Sequence, residues 1–475
     1  MTLSVVFDFL RQHSQLKAIR LDSRQVRHGD LFIAMPGSST DGRQFIQQAI
    51  NNGAEAIIAE SLGLVTEINV KVPLLLAANL KQHIATIATF FYKDPSHSLK
   101  IIGITGTNGK TSTSHYIAQL LNLQSEKCGI MGTLGNGFLD SLLDSQLTTS
   151  DCCTIQDQLS TFVKLQTRFV AMEVSSIGLI ENRLQNTKIN TAVFTNLSQD
   201  HLDYHGDMEQ YFIAKSKLFT DFAPEYCVVN LDDPYSERLL ALIPQQSRVV
   251  TYSLLDSNAD VYCNGNVVTT PWGSSKLVTS LIGKFNVSNV LAALSCCALQ
   301  NIPLQKLLDS AQHLKPVNGR MQIVSHNIVT DPKVIVDYAH TPEAVEKALQ
   351  ALQEYKINKI YCIIGCGGDR DRSKRPLMLQ AAVKHSDVVI ITQDNPRTED
   401  PQQIINDMLN GAPLHENVIV QMDRATAISQ TIAQATEHDL ILIAGKGHED
   451  YQIIGTVKVP FSDVLTASLA LEARR

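Results

Sequence analysis

The segment KIIGITGTNGKTSTSHYIAQLLNL, residues 100–123, constrains the fold more than any other stretch of the chain. Its opening run, with Ile101, Ile102 and Ile104, reads as a buried strand, and a turn rich in glycine and threonine follows. The mixed apolar and polar spacing after that turn predicts a helix over 110–123. Strand, loop and helix in this order bring backbone N–H groups and the positive end of a helix to one point, which is what a phosphate group needs. The spelling departs from the common G-x-x-x-x-G-K-[ST] loop, because position 104 is Ile and the glycines stand at 103, 106 and 109. Lys110 supplies a point charge, and the Thr111 hydroxyl stands where it can reach magnesium.

The alternation continues. Apolar strands are expected in RFVAMEVSS, TAVFTNLS and YCVVNLDD, and again, after LKPVNGRMQ, in KVIVDYAH, KIYCIIGCGG, DVVIITQDNP, NVIVQM and DLILIAGKG. Buried strands alternating with helices make a mostly parallel sheet covered on both faces. A chain of 475 residues also exceeds what one hydrophobic core usually serves, roughly 100–200 residues. The breaks fall at KDPSHS and at the proline and glycine of LKPVNGRMQ, Pro316 and Gly319. The expected fold is α/β in three domains: a small one over 1–98, built from LFIAMP, AEAIIAE, VPLLLA and FIQQAINNG; a central one over 99–317; and a second doubly wound unit over 318–475. In the last, polar and glycine-rich residues follow the carboxyl ends of the strands, where open α/β sheets bind ligands.

A net charge of −7 supplies no global field for nucleic acid or an acidic membrane, so any anionic ligand must be captured locally. Nine cysteines contain no C-x-x-C and no zinc spacing, which reads as reduced thiols in a cytoplasmic protein. MTLSVVFDFLRQHSQ lacks a signal-peptide pattern, and no apolar run approaches the roughly 20 residues of a membrane span, so a soluble protein is expected.

Several clusters carry potential chemistry. Glu173 ends the apolar run FVAMEVSS, where a carboxylate emerges at the binding edge of the sheet, although a lone Glu there also serves as a cap or surface charge. NLSQDHLDYHG gathers Asp200, His201, Asp203 and His205 in six residues and, with the phosphate loop, reads as magnesium support for a nucleotide. GCGGDRDRSKRP carries Arg370, Arg372, Lys374 and Arg375, and DNPR ends a strand with Arg397; guanidinium forks suit carboxylate or phosphate and meet the need for local anion capture. AGKGHEDYQ adds Gly445, Lys446 and Glu449, a carboxylate able to bind an amine. These residues point to ATP on the central unit and an anionic, amine-bearing substrate on the third, with a kinase, an ATPase or an ATP-driven ligase all open.

GITGTNGKT, MEVSS, TNLSQDHLDYHG, DYAHTPEA, GCGGDRDRSKRP, DNPRTEDP and AGKGHEDYQ, in this order, with LDSR at 21–24 and GDLFIAMPGSSTDGR in the first domain, resemble the Mur ligases of peptidoglycan synthesis. The resemblance implies a first domain that holds a uridine nucleotide, a central P-loop ATPase domain and a Rossmann-like third domain. It implies ATP and Mg2+ as cofactors, and as partners UDP-N-acetylmuramoyl-L-alanyl-D-glutamate and meso-2,6-diaminopimelate, joined by an amide bond through an acyl phosphate. A cytoplasmic monomer, without nucleic acid or membrane insertion, is expected.

Residue by residue, the resemblance implies that Gly106, Thr107, Asn108, Gly109, Lys110, Thr111 and Ser112 cradle phosphate, and that Asn286, Asn289, Arg320 and His340 contact the nucleotide. Thr111, Glu173 and His201 would be metal ligands, joined by Lys215 as a carbamate; composition alone makes Lys215 a surface helix lysine. Leu21 and Ser23 match uridine-nucleotide contacts, and Thr148, Thr149, Ser175, Glu181 and Arg183 fall at the dipeptide positions. Arg370, Asp394, Asn395, Pro396, Arg397, Gly445 and Glu449 match the diaminopimelate site, where Arg397 would grip the distal carboxylate that lysine lacks. Ile177, where histidine is common, Glu181, where glutamine is common, and Ser150–Asp151 depart from the pattern. A folylpolyglutamate-type ligase would lack the first domain and DNPR, a lysine-adding homologue would lack the Arg397 charge, and a non-catalytic binder would be expected to lose Lys110, Glu173 or Lys215; all are present.

Overall fold

A computed structural model describes residues 3–37, 40–64, 68–145, 147–324, 330–412 and 416–474; Ser38 and Ser39 of the GDLFIAMPGSSTDGR motif lie outside these. Nearest the amino terminus, strands Ile19–Arg20, Asp30–Ala34, Ala54–Glu60 and Leu74–Ala77 form a parallel sheet in sequence order.

The largest sheet has eleven strands. Its parallel core runs Val261–Asn264, Arg248–Ser253, Tyr226–Asn230, Thr191–Phe194, Lys100–Thr105, Phe169–Glu173, Cys128–Gly132, with antiparallel strands at both edges. Side chains alternate across such a sheet. Ile102 and Ile104 enter the core beneath helices Lys110–Leu123, Lys284–Ala298 and Leu304–Ala311, whereas Ile101 enters the opposite core with helices Cys152–Lys164 and Met208–Thr220. Each such isoleucine contributes about 1.5–3 kcal/mol by leaving water, so an apolar run on both faces can settle only in the middle of a covered sheet. Lys100–Thr105 occupies that middle. Ile104 pairs with Glu173 on one side, and Thr105 pairs with Phe194 on the other. Three strand ends therefore deliver the phosphate loop, Glu173 and Thr195–Asn196 side by side.

The third sheet runs Gln322–Ile323, Lys333–Asp337, Leu440–Ala444, Ile360–Ile364, Val388–Ile391, Val418–Val420, all parallel but for the first strand. Helices Pro342–Gln353, Lys374–His385 and Pro401–Leu409 cover one face; Arg424–Gln434 and Asp463–Glu472 cover the other. All nine cysteines are buried and free. Among the described residues no helix is long and apolar enough to cross a membrane.

Candidate active site

Gly109 has φ +88° and leads into helix Lys110–Leu123, whose first turn has no side-chain cap. Its leading N–H groups are therefore left for a ligand. A Cβ at 109 would stand 2.5 Å from Asn289 Oδ1, so glycine answers both the backbone angle and the crowding. The neighbouring strand end braces the loop: Thr107 N donates to Asn196 O (2.8 Å), Asn108 N to Asn196 Oδ1 (2.9 Å), and Thr195 Oγ1 to Asn108 O (2.6 Å). Asn108 Nδ2 is buried without a partner among the described residues, a donor kept for something else. Thr107 through Ser112 line a cavity of about 1190 Å3, with Glu173, His201, Asn289, Arg320 and His340. Gly106 sits behind it, its carbonyl accepting from Lys110 Nζ and Lys215 Nζ, both at 2.8 Å.

Glu173 is fully buried at its strand end. Its carboxylate accepts from Thr111 Oγ1 (3.0 Å), Thr133 Oγ1 (2.9 Å) and Thr133 N (3.0 Å). A buried carboxylate in contact with the phosphate-loop threonine is the oxygen donor set that a hard divalent cation takes. The expected four-residue magnesium cluster at 200–205 does not form. His201, at φ +56°, turns the chain into the short helix Leu202–His205, which carries Asp203 and His205 away from Asp200 and His201, whose Oδ2 and Nε2 stay 3.5 Å apart. Asp203 is exposed, His205 Nε2 meets Ser176 Oγ (2.9 Å), and Asp200 faces Lys374 Nζ (3.2 Å) and His340 Nε2 (3.6 Å). Among the described residues no three His, Cys, Asp or Glu side chains gather as a metal site. Asp200 and His201 both line the cavity; Asp200 is engaged by Lys374 and His340, and His201 is the neutral candidate ligand. Burial, with Lys215 and Lys110 nearby, pushes its pKa down to about 4 against the pull of Asp200.

Lys215 corrects the surface-lysine expectation. Helix Met208–Thr220 turns it inward, 2 % exposed, with Nζ 4.5 Å from the centre of the Tyr211 ring. Burial, then repulsion from Lys110, drives its pKa well below the ordinary lysine value, with Asp200 opposing. The amine is thereby biased to its neutral form. Lys110 is lowered for the same first reason, with Glu173 and Asp200 pulling it back up.

On the nucleotide side, Arg320 Nη2 donates to Thr111 Oγ1 (3.3 Å) and its guanidinium stacks 4.3 Å from the Tyr338 ring centre, while His340 Nδ1 lies 2.7 Å from Tyr338 O. Asn286 is not brought to the cavity: its amide is spent on the Tyr116 hydroxyl (3.0 Å) and Ile282 O (2.8 Å). Leu21 and Ser23 stay with the first sheet. Ser23 Oγ donates to Gln48 Oε1 (2.8 Å), Leu21 packs on that core, and neither reaches the cavity.

The dipeptide candidates gather behind Glu173. Thr148 lines the cavity 3.1 Å from Thr133, and Thr149 Oγ1 donates to Glu173 O and accepts from Ser175 N, both at 2.9 Å. Ser175 Oγ caps helix Ser176–Ile180. Arg183 holds Thr149 O (2.7 Å) and pairs with Glu181 (2.6 Å), so the glutamate at the departing position is occupied by its neighbour.

At the end of the third sheet, Asn395 Nδ2 donates to Glu449 Oε2 (2.9 Å), and Lys446 Nζ reaches both Glu449 Oε2 (2.8 Å) and Asn395 Oδ1 (3.2 Å). Gly445 is required by proximity, since a Cβ would come 2.6 Å from Asp394 Oδ2. The basic loop divides, which corrects its reading as four anion-gripping side chains. Arg375 is fully buried between Glu399 (2.9 Å) and Asp407 (2.7 Å), Arg372 pairs with Glu399 (3.0 Å), and Lys374 pairs with Asp200. Among the described residues, the guanidiniums of Arg370 and Arg397 bond only to the carbonyls of Asp369 (2.9 Å) and Gly368 (2.7 Å). No carboxylate lies within ion-pair distance of either among the described residues. Burial, then Arg370, lowers the Arg397 pKa, so an incoming anion would relieve both. Arg397 keeps φ +52° on its way out of the Pro396 turn. Among the residues that sequence reading passed over, Thr133, Thr195 and Asn196 were hidden by ordinary side chains; Asp337, at the end of its strand and lining the cavity, carried a position that could have been read.

Family descriptions match three parts of the chain: Mur ligase family, catalytic domain, over 15–92; Mur ligase middle domain over 104–297; and Mur ligase, glutamate ligase domain, over 319–447. A UDP-N-acetylmuramoyl-L-alanyl-D-glutamate--2,6-diaminopimelate ligase of Coxiella burnetii is 45% identical over 469 residues, covering 96% of each chain. One of the same name from Pseudomonas aeruginosa is 44% identical over 482 residues, covering 100% of this chain and 98% of its own. A solved structure bearing that name is 37% identical, with TM-score 0.64 over 96% of this chain and 95% of its own. An uncapped phosphate loop beside a buried glutamate and a neutral-leaning lysine, joined to an arginine-bearing third sheet over the full length of such relatives, leaves one conclusion: the chain belongs to the Mur ligase family.

Proposed function

We infer that this protein is an ATP-dependent ligase that joins meso-2,6-diaminopimelate to UDP-N-acetylmuramoyl-L-alanyl-D-glutamate in the cytoplasm, as a monomer of three units over 1–98, 99–317 and 318–475. Full-length identity of 44–45% to relatives of that name supports the reaction. The observation that carries the choice of amino acid is the pair Arg370 and Arg397, two guanidiniums without a carboxylate of their own among the described residues, beside Glu449, whose Oε2 already accepts from Lys446 Nζ and Asn395 Nδ2 and whose Oε1 would take an amine. A diamino acid with a distal carboxylate satisfies both.

A carboxylate is too poor an electrophile for an amine, so its oxygen must first become a leaving group. Transfer of the γ-phosphoryl group of ATP to the glutamyl γ-carboxylate gives an acyl phosphate and ADP. The amine then attacks the acyl carbon, loses a proton, and phosphate departs as the amide forms. This transfer is mostly positioning and charge neutralisation. The open N–H groups at Lys110 and Thr111 meet the phosphates, Lys110 leaves the loop carbonyls to add its charge, and Asn108 Nδ2 gains a partner. Arg183, fixed by Glu181 and Thr149, orients the dipeptide toward Glu173. Thr111, Glu173, His201 and a carbamylated Lys215 would hold magnesium, which supplies charge neutralisation when bound. The neutral-leaning amine of Lys215 suits reaction with carbon dioxide, which turns a buried cation into an anion.

Incubation with ATP, the UDP-muramoyl dipeptide and diaminopimelate should yield one ADP and one phosphate per amide, with the product seen by mass spectrometry. Omission of the dipeptide should stop phosphate release. Steady ATP cleavage without amide would refute the ligase reading.

A further inference from the structure

Arg424 opens helix Arg424–Gln434, a position where arginine ordinarily reaches solvent, yet its side chain is wholly buried. The guanidinium forks onto Asp463, the first residue of helix Asp463–Glu472, with Nε–Oδ1 and Nη2–Oδ2 both 2.7 Å. Its other N–H groups go to backbone: Nη2 donates to Ala444 O (2.9 Å) and Nη1 to Gln393 O (3.4 Å). Ala444 is the last residue of its strand before Gly445 and Lys446, and Gln393 immediately precedes Asp394 and Asn395. One side chain thus holds the chain directly upstream of both loops of the candidate amino-acid site. On their far side the loops are joined again by Asn395, Lys446 and Glu449.

The charge acts alongside the bonds. Burial works to lower the Arg424 pKa, but Asp463 overrides it, and Asp394 and Glu449 add to the same effect. Both site carboxylates therefore lie in the field of this cation. A buried ion pair is no efficient glue for two helices, since apolar residues of like volume often hold a core as well or better. What apolar residues cannot do is bond two carbonyls at the ends of separate strands at once.

We propose that Arg424, clamped by Asp463, is a positioning residue that fixes the spacing of the 394–397 and 445–449 loops and thereby sets affinity for the incoming amino acid without touching it. The inference rests on the reading of that site given under Proposed function.

The test compares the parent with Arg424→Met/Asp463→Leu, which removes both charges together, and with Arg424→Lys. The double variant should keep its Tm within a few degrees, raise KM for diaminopimelate about tenfold or more, and leave KM for ATP and for the UDP-muramoyl dipeptide within about twofold. Arg424→Lys should fall between, because an ammonium meets Asp463 but lacks the fork that reaches both carbonyls. If the double variant does not fold, the same split in Arg424→Lys carries the test. Parental KM for diaminopimelate in the folded double variant, or a parallel rise in all three KM values, overturns the proposal. A parent that forms no amide with diaminopimelate instead refutes the reading of the site on which the proposal rests.

Discussion

Lys215 shows how burial converts one residue's chemistry. It has no carboxylate within ion-pair distance among the described residues, so in its protonated form it is a buried charge held by one carbonyl and a ring face. Lys215→Ala should lower kcat about 10³-fold or more, as loss of a charge-stabilising group does, and short carboxylates should restore part of the rate by standing in for a carbamate. Unimpaired turnover without additive would end that role. The same lysine has a signature in stability. Its folded pKa lies well below its unfolded value, so folding disfavours the protonated amine, at a cost that is full below the folded pKa and fades as pH rises through it toward the ordinary lysine range. Lys215→Met should therefore melt above the parent at pH 7, with the gap closing toward pH 10; a constant gap would contradict the assignment. For Arg397, removal of the guanidinium in Arg397→Ala should raise KM for diaminopimelate about 10²-fold, the scale of a lost charged hydrogen bond to a buried group, while KM for ATP stays near parental. Equal turnover by both proteins would refute it.

Helix Lys110–Leu123 was legible to its end residues, because its strand, its glycines and its periodicity all point the same way. Gly109→Ala asks an L-residue to hold φ +88° and pushes a methyl against Asn289, so KM for ATP should rise about tenfold and kcat fall with it. Steady-state kinetics with ATP varied would read this, and parental values would deny the loop its role. Other elements were misread for a common reason, which is that neighbours in sequence need not be neighbours in space. Asp200, His201, Asp203 and His205 look like a ligand cluster on paper, but a left-handed residue and one turn of helix part Asp203 and His205 from the adjacent Asp200 and His201. Arg375 reads as an anion-gripping side chain, yet it is buried because carboxylates distant in sequence, Glu399 and Asp407, meet it. Lys215 is the opposite case: helical spacing alone gave no sign that this face of Met208–Thr220 points inward.

At the scale of the molecule, the central and third sheets are tied across the cavity. Burial works to raise the Asp200 carboxyl, but His340, Lys374 and His201 override it and hold it well below the usual carboxylate range. Gln199 adds bonds to Asp371 (3.2 Å) and Ser373 (2.9 Å), and Arg320 reaches Thr111. The loop that carries Arg370 is thus fastened to the strand end that braces the phosphate loop. Lys374→Met leaves Asp200 without its buried cation and should lower kcat/KM for ATP and for diaminopimelate together, each about tenfold, the cost of breaking such a pair being several kcal/mol at most. A loss confined to one substrate would argue against coupling between the sheets. The central claim is that ATP cleavage on one sheet activates an acid for an amine chosen by arginines on another. It is tested most directly by kcat/KM for diaminopimelate against L-lysine, with the UDP-muramoyl dipeptide and ATP in excess. A preference for diaminopimelate of at least about 10³-fold is predicted, since lysine leaves the half-buried Arg397 guanidinium, and the exposed Arg370 beside it, unpaired; comparable use of lysine, or no ADP formed with either, would contradict it.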